Sequence, residues 1–189
     1  EIPIDDATLR ASLNGLTPAA LYIRSVSVAA DDFDARFSPH WKEYCYRLID
    51  GAPAGGTRRN RAWWVPGIQR ECRGMICAAR DFVGQHDFSA FRASDCTATT
   101  TVRTILMSEV TRVDRDEFVL SVIGTGFLKQ MVRIMVGTLV EIGRGRRSPE
   151  TVRRLLATGT RTDAGQTAPP WGLTLRRVQY VDRPIYRDE

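Results

Sequence analysis

Residues 126–143 form the longest apolar-periodic run of the chain, and no other stretch restricts its folding as much. At the helical angle of about 100° per residue, Leu128, Met131, Val132, Met135, Val136, Leu139 and Ile142 gather into one broad stripe that must face a core. Lys129, Arg133, Gly137 and Glu141 fall on the other side. Arg133 lies at the border of the stripe, beside Val136 and Val140, so its guanidinium is expected over the rim of the core rather than out in water. A guanidinium so placed requires a carboxylate or phosphate partner. A surface arginine on an amphipathic helix is the other reading of the same residue.

With 189 residues, 43% of them hydrophobic, the chain can bury one good core or two small layered units without a staple. No stretch approaches the roughly 18 consecutive apolar residues of a membrane span. The N-terminus, Glu1-Ile-Pro-Ile-Asp-Asp6, has no basic lead before an apolar block, so a soluble cytoplasmic protein is expected. Cys45, Cys72, Cys77 and Cys96 lack CxxC spacing, and only His40 and His86 could complete a metal site. Neither zinc nor a disulfide framework is expected, and the thiols are read as reduced and half-buried. The net charge of +5 suits a polyanionic partner, but all of the 27 basic residues except Lys42 and Lys129 are arginine, a bias that a GC-rich genome also produces. Charge alone does not assign nucleic acid.

Taken in order, residues 5–14 have the capping residues of a short helix that stops at Gly15 and Pro18. Residues 21–28 alternate like a strand, and residues 42–49 put Tyr44, Tyr46 and Leu48 on one face of another. The Gly/Pro-rich basic stretch 52–61 reads as a mobile loop. A second strand at 62–65, a helix over about 68–83 and a loop over 84–92 with two buried phenylalanines follow. His86 beside Asp87 has no nucleophile near it in sequence and is read as a turn. Residues 102–113 and 117–124 form a hairpin across 114–116 that feeds the Arg133 helix. Arg144, Arg146 and Arg147 follow that helix, where cations suit either the carboxyl end of its dipole or an RNA phosphate. Ser148 and Pro149 open a helix to about 158, and a last strand is expected over 173–181. The class is α+β, with a largely antiparallel sheet and helices packed on one face.

Five segments together, Phe33 with Ala35-Arg-Phe-Ser38, Lys42-Glu-Tyr-Cys-Tyr46, Gly84 to Arg92, Phe127-Leu with Met131-Val-Arg133 and Val136-Gly-Thr-Leu139, and Thr167-Ala-Pro169 with Gly172-Leu173, resemble the TruA family of tRNA pseudouridine synthases. The resemblance runs in order through essentially the whole chain. It implies the C-terminal half of a pseudouridine synthase core, with residues 36–189 its C-terminal subdomain and residues 1–35 a remnant of the N-terminal subdomain and connection. In that family an Asp nucleophile converts particular uridines of the tRNA anticodon arm to pseudouridine without metal, nucleotide or redox cofactor. The Asp attacks the nucleoside, the glycosidic bond breaks, and the uracil turns so that C5 rejoins C1′. The partners implied are the tRNA anticodon stem-loop and, in the complete enzyme, a second copy.

Carried over, Arg133 matches the Arg that ion-pairs with the catalytic Asp, Tyr44 the Tyr that packs on the target base, and Leu173 with Gly172 a pocket wall. A base leaves its stack at a cost of a few kcal/mol, which an aromatic face in the pocket offsets in part. A nearby guanidinium keeps a nucleophilic carboxylate ionised. Arg36, Lys129, Arg144, Arg146 and Arg147 are the candidate RNA contacts. The family's Gly-Arg-Thr-Asp-Ala-Gly motif should precede the Ala35-Arg-Phe-Ser38 stretch and does not. A partial copy, Arg161-Thr-Asp-Ala-Gly165, lies instead over the family's C-terminal loop, so Asp163 is read as a decoy. The expectation is a C-terminal part lacking its nucleophile and inactive alone, with a non-catalytic RNA-binding module as the alternative. On that basis Arg133→Met is expected to leave stability unchanged or to raise it.

Overall fold

The computed structural model describes residues 4–51 and 60–180, in two compact units, Glu1–Ser38 and Pro39–Glu189. The basic stretch expected as a loop over 52–61 lies outside the described residues, apart from its last two.

Among the described residues the first unit holds one helix, α1 (Asp6–Leu16). Asp5 caps it by accepting the amides of Ala7 and Thr8 at 2.9 and 3.0 Å, and Pro18 follows where the helix cannot continue. The strand expected over 21–28 does not form. Alternation supplies a face but no hydrogen-bond partner, and no second strand exists in this unit among the described residues. Asn14 takes that role at one position, donating to the Ile23 carbonyl at 2.9 Å and accepting the Ile23 amide at 2.8 Å. Further on, Asp34 accepts the amides of Arg36 and Phe37, and the Arg36 guanidinium sits 5.2 Å over the Phe37 ring.

The second unit runs β1 (Trp41–Ile49), β2 (Trp63–Trp64), α2 (Cys72–Arg80), β3 (Gly84–Asp87), β4 (Val102–Arg112), β5 (Glu117–Gly124), α3 (Met131–Gly143), α4 (Thr151–Thr158) and β6 (Leu173–Gln179). The sheet order is β2-β1-β5-β4-β3, with β6 also on β1. Among the described strands only β1 and β2 run parallel. One edge of β1 carries β5 along its length, and the other is shared by β6 at Trp41 to Tyr46 and β2 at Leu48 and Ile49. The stretch 84–92, expected as a loop, begins with β3, an edge strand whose four residues are too few and too polar to alternate visibly. Its two phenylalanines, Phe88 and Phe91, are buried as expected.

Period two along β1 divides the sheet's faces. Tyr46 and Leu48 stand opposite Leu120 and Phe118 of β5 and share one core with Met75 and Ala78 of α2 and the apolar stripe of α3. Cys45 and Arg47, opposite Ser121 and Val119, point the other way. Burial dominates at α3, where Met131, Ile134, Met135, Leu139 and Ile142 are each at most 1% exposed. At roughly 1.5–3 kcal/mol per large apolar side chain, this helix holds the sheet's helical face in place. Gly137 does not face solvent, as the helical wheel suggests, but is buried. Residues 164–168 cover that side of α3, and the contact is backbone to backbone: a Cβ on Gly137 would stand 1.7 Å from the Gln166 oxygen, and one on Gly165 2.5 Å from the Thr138 nitrogen.

Candidate active site

The segment after α4 is pinned onto α3 one residue at a time. The Gly165 amide donates to Thr138 Oγ1 at 2.9 Å, and Arg161 donates to the Gly165 carbonyl at 3.0 Å and to Thr167 Oγ1 at 3.1 Å. Ala168 donates its amide to the Arg133 carbonyl at 3.1 Å, while Arg133 Nε donates to the Ala168 carbonyl at 2.6 Å. One residue on, the Tyr46 hydroxyl donates to the Pro169 carbonyl at 2.7 Å. Arg133 and Tyr46 therefore grip the same strap at neighbouring carbonyls.

Arg133 is half-buried, as its place at the border of the stripe implies. Its partner is a main-chain oxygen, and none of the ion pairs among the described residues involves it. A carbonyl fixes the guanidinium through Nε without neutralising it, and both terminal nitrogens are left for an anion. This local partner also revises the expectation that Arg133→Met costs nothing.

Tyr44 lies two residues from Tyr46 on the same face of β1 and is half-buried. Phe127 meets it edge-on, with ring centroids 5.0 Å apart and planes at 80°. Burial raises the Tyr44 phenol above the usual tyrosine range. Tyr46 is fully buried, and burial pushes its phenol higher still, with the Arg133 charge pulling the other way. Both rings are neutral at ordinary pH. Leu173 pairs with Tyr46 across the β1–β6 ladder and Leu175 pairs with Tyr44, so both leucines stand on this face. Gly172 presses on the Tyr46 ring, where a Cβ would come within 2.7 Å.

The candidate RNA contacts are scattered. Lys129 pairs with Asp95 at 2.6 Å, both well exposed, a contact of little energy in water. Arg147 pairs with Glu141 and donates to the Asp163 carbonyl at 2.6 Å, so its fork is occupied by the fold. Arg144 donates to the Pro66 carbonyl at 3.1 Å. Burial first, and the Arg146 charge second, lower its pKa. Arg144 and Arg146 line a small cleft with Arg70 and Gly67. Arg36 belongs to the first unit.

Four residues of the Arg161-Thr-Asp-Ala-Gly165 copy, Arg161, Asp163, Ala164 and Gly165, have structural duties. Asp163 closes a turn by accepting the Thr160 amide at 2.9 Å and the Thr160 hydroxyl at 2.7 Å; these bonds hold its carboxyl below the usual range. Ala164 is buried and Gly165 makes the close approach to α3. Asp163 lines a cavity with Arg154 and Thr158 rather than the strap at Arg133. The thiols are all free; three are half-buried, while Cys77 is exposed. Among the described residues no group of three or more His, Cys, Asp or Glu could hold a metal ion, and no helix is long and apolar enough to cross a membrane.

The family model described as tRNA pseudouridine synthase matches residues 78–181. A tRNA pseudouridine synthase A from Syntrophotalea carbinolica is 44% identical over 95% of this chain and 70% of its own length. Proteins of the same name from Geotalea uraniireducens and Citrifermentans bemidjiense are 41% and 40% identical over 89% and 92% of this chain, and 68% and 69% of their own lengths. The chain belongs to the tRNA pseudouridine synthase family.

The sequence motifs offered Tyr44, Arg133 and Leu173 as candidates but not the strap at Ala168 and Pro169 that joins Arg133 to Tyr46. Thr167-Ala-Pro169 stood out as a motif, yet its function lies in two carbonyl oxygens, which every residue type carries.

Proposed function

We propose that this chain carries the base-binding and counter-ion half of a tRNA pseudouridine synthase that isomerises uridines of the anticodon arm. The observation that carries the reading is Arg133, fixed through Nε on Ala168 with its terminal nitrogens left for an anion, in a chain 44% identical to a tRNA pseudouridine synthase A. In this reading those nitrogens pair with a nucleophilic Asp from outside residues 1–189. The cation keeps that Asp ionised and aimed at the nucleoside. Tyr44 supports the extruded uracil against Phe127, and Leu173 closes the pocket wall. The structural duties of Asp163 support its reading as a decoy, and they support the chain being inactive alone. Residues 36–189 act as the C-terminal subdomain and residues 1–35 as a remnant of the preceding one. Arg36, Lys129, Arg144 and Arg146 take phosphates of the tRNA, Arg147 serves the fold, and the complete enzyme works in the cytoplasm as a homodimer without a cofactor.

The test joins this chain to the N-terminal part of the Syntrophotalea carbinolica relative and measures pseudouridine in tRNA. Arg133→Met should abolish turnover while tRNA binding persists. A fusion that keeps its turnover without Arg133 would remove Arg133 as the counter-ion, and a fusion that binds tRNA but makes no pseudouridine would leave the alternative, an RNA-binding module.

A further inference from the structure

The sheet face turned away from the helices holds a cavity of about 470 Å³. Cys45 and Val119 form part of its floor, Arg47, Arg61 and Arg176 supply charge, and Trp171 lines it from the turn before β6. Cys45 and Arg47 alternate with Tyr44 and Tyr46 along β1, so this cavity and the candidate active site lie on opposite faces of the same strand.

Two of the three arginines are built in. Arg47 Nε meets Glu117 at 2.9 Å, with the Arg side chain 48% exposed and the Glu side chain 8%. Arg176 Nη1 meets Glu43 at 3.2 Å, at 50% against 10%. A buried carboxylate behind a half-exposed guanidinium fixes the planar fork before any ligand arrives. Among the described residues that line the cavity, none is acidic. Trp171 adds a 51% exposed indole beside these cations. Fixed guanidiniums next to an accessible aromatic plane are the chemistry that takes a phosphodiester and stacks its base.

We propose that this cavity is a second RNA subsite, which binds one nucleotide of single-stranded RNA with its base on Trp171 and its phosphate among Arg47, Arg61 and Arg176. The proposal rests on the reading of this chain as acting on RNA. A second copy is the poorer occupant, because a chain of net charge +5 brings its own positive field to a cationic cavity. The subsite is also tied to the other face. The Pro170–Gly172 turn that carries Trp171 continues from the two carbonyls holding Arg133 and Tyr46, so a nucleotide seated on Trp171 steadies the strap that orients Arg133.

The experiment measures binding of a fluorescently labelled single-stranded oligouridylate to the 189-residue chain by anisotropy across a salt series, for wild type, Trp171→Ala, Trp171→Phe and Arg61→Gln. Trp171→Ala should lose at least fivefold in affinity, the low end of a single base stack, and Trp171→Phe should keep most of it. Arg61→Gln should reduce the salt slope by about one counterion. Equal thermal melts for the variants separate these losses from unfolding. Wild-type binding that is absent, or unchanged in Trp171→Ala, overturns the subsite, as does self-association in sedimentation that Trp171→Ala abolishes. Pseudouridine formation by the fused protein is scored separately. Turnover without a Trp171 effect on binding rejects the subsite alone, whereas Trp171-dependent binding without turnover supports the subsite and rejects the proposed activity.

Discussion

Arg133 and Ala168 are hydrogen-bonded to each other twice, side chain to carbonyl at 2.6 Å and amide to carbonyl at 3.1 Å. The first bond orients the guanidinium and the second docks the strap on α3. Removing the side chain leaves the carbonyl of Ala168, a fully buried residue, without that donor. Arg133→Met should therefore destabilise the chain by about 1–3 kcal/mol, the cost of a stranded buried acceptor. Denaturant melts measure it, and an unchanged or raised stability would mean that water or a neighbour replaces the bond.

Gly137→Ala sets two effects against each other. Alanine improves helix propensity by about 1 kcal/mol, but its Cβ would stand 1.7 Å from the Gln166 oxygen. Overpacking against backbone costs about 1–3 kcal/mol or more, and a main-chain oxygen cannot rotate away. A net loss of stability with a displaced strap is expected. A variant more stable by about the propensity gain alone would show that the strap moves freely.

Tyr46 predicts a pH dependence. Its phenol titrates higher in the folded protein than at the usual value of 10.0. The folded state therefore holds this proton more tightly than the unfolded chain does. That contribution is fully present below about pH 10 and is lost as pH rises from there toward the folded value. Tyr46→Phe removes the titration along with the bond to Pro169. It should be less stable than wild type at neutral pH, and the gap should narrow above pH 10. A gap that stays constant to high pH would place the phenol's titration in the usual range.

Tyr44 separates two roles in the fused protein. If its ring supports the base, Tyr44→Phe keeps much of the turnover and Tyr44→Ala loses it. Loss in both variants would assign a proton-carrying role to the hydroxyl, and full activity in both would remove Tyr44 from the site.

The elements legible in the sequence are those with long, clean periods. The α3 run and the β4–β5 hairpin needed no tertiary information. Residues 21–28 had the same alternation as a strand, but pairing is a property of two segments and cannot be read from one. Gly137 was misassigned to solvent because a helical wheel cannot register irregular chain laid over a helix; a glycine there, and another at Gly165, were the available signals. Tyr44 and Arg133 became candidates through the motifs around them. The Arg133 grip on Ala168 was not, since it depends on backbone atoms.

Pseudouridine formation in tRNA by the 189-residue chain on its own is the most direct measurement. On the proposal that the nucleophile lies outside these residues, no product should form, and Asp163→Asn should change nothing. Turnover by the lone chain that Asp163→Asn abolishes would contradict this, making Asp163 the nucleophile and Arg133 something other than its counter-ion.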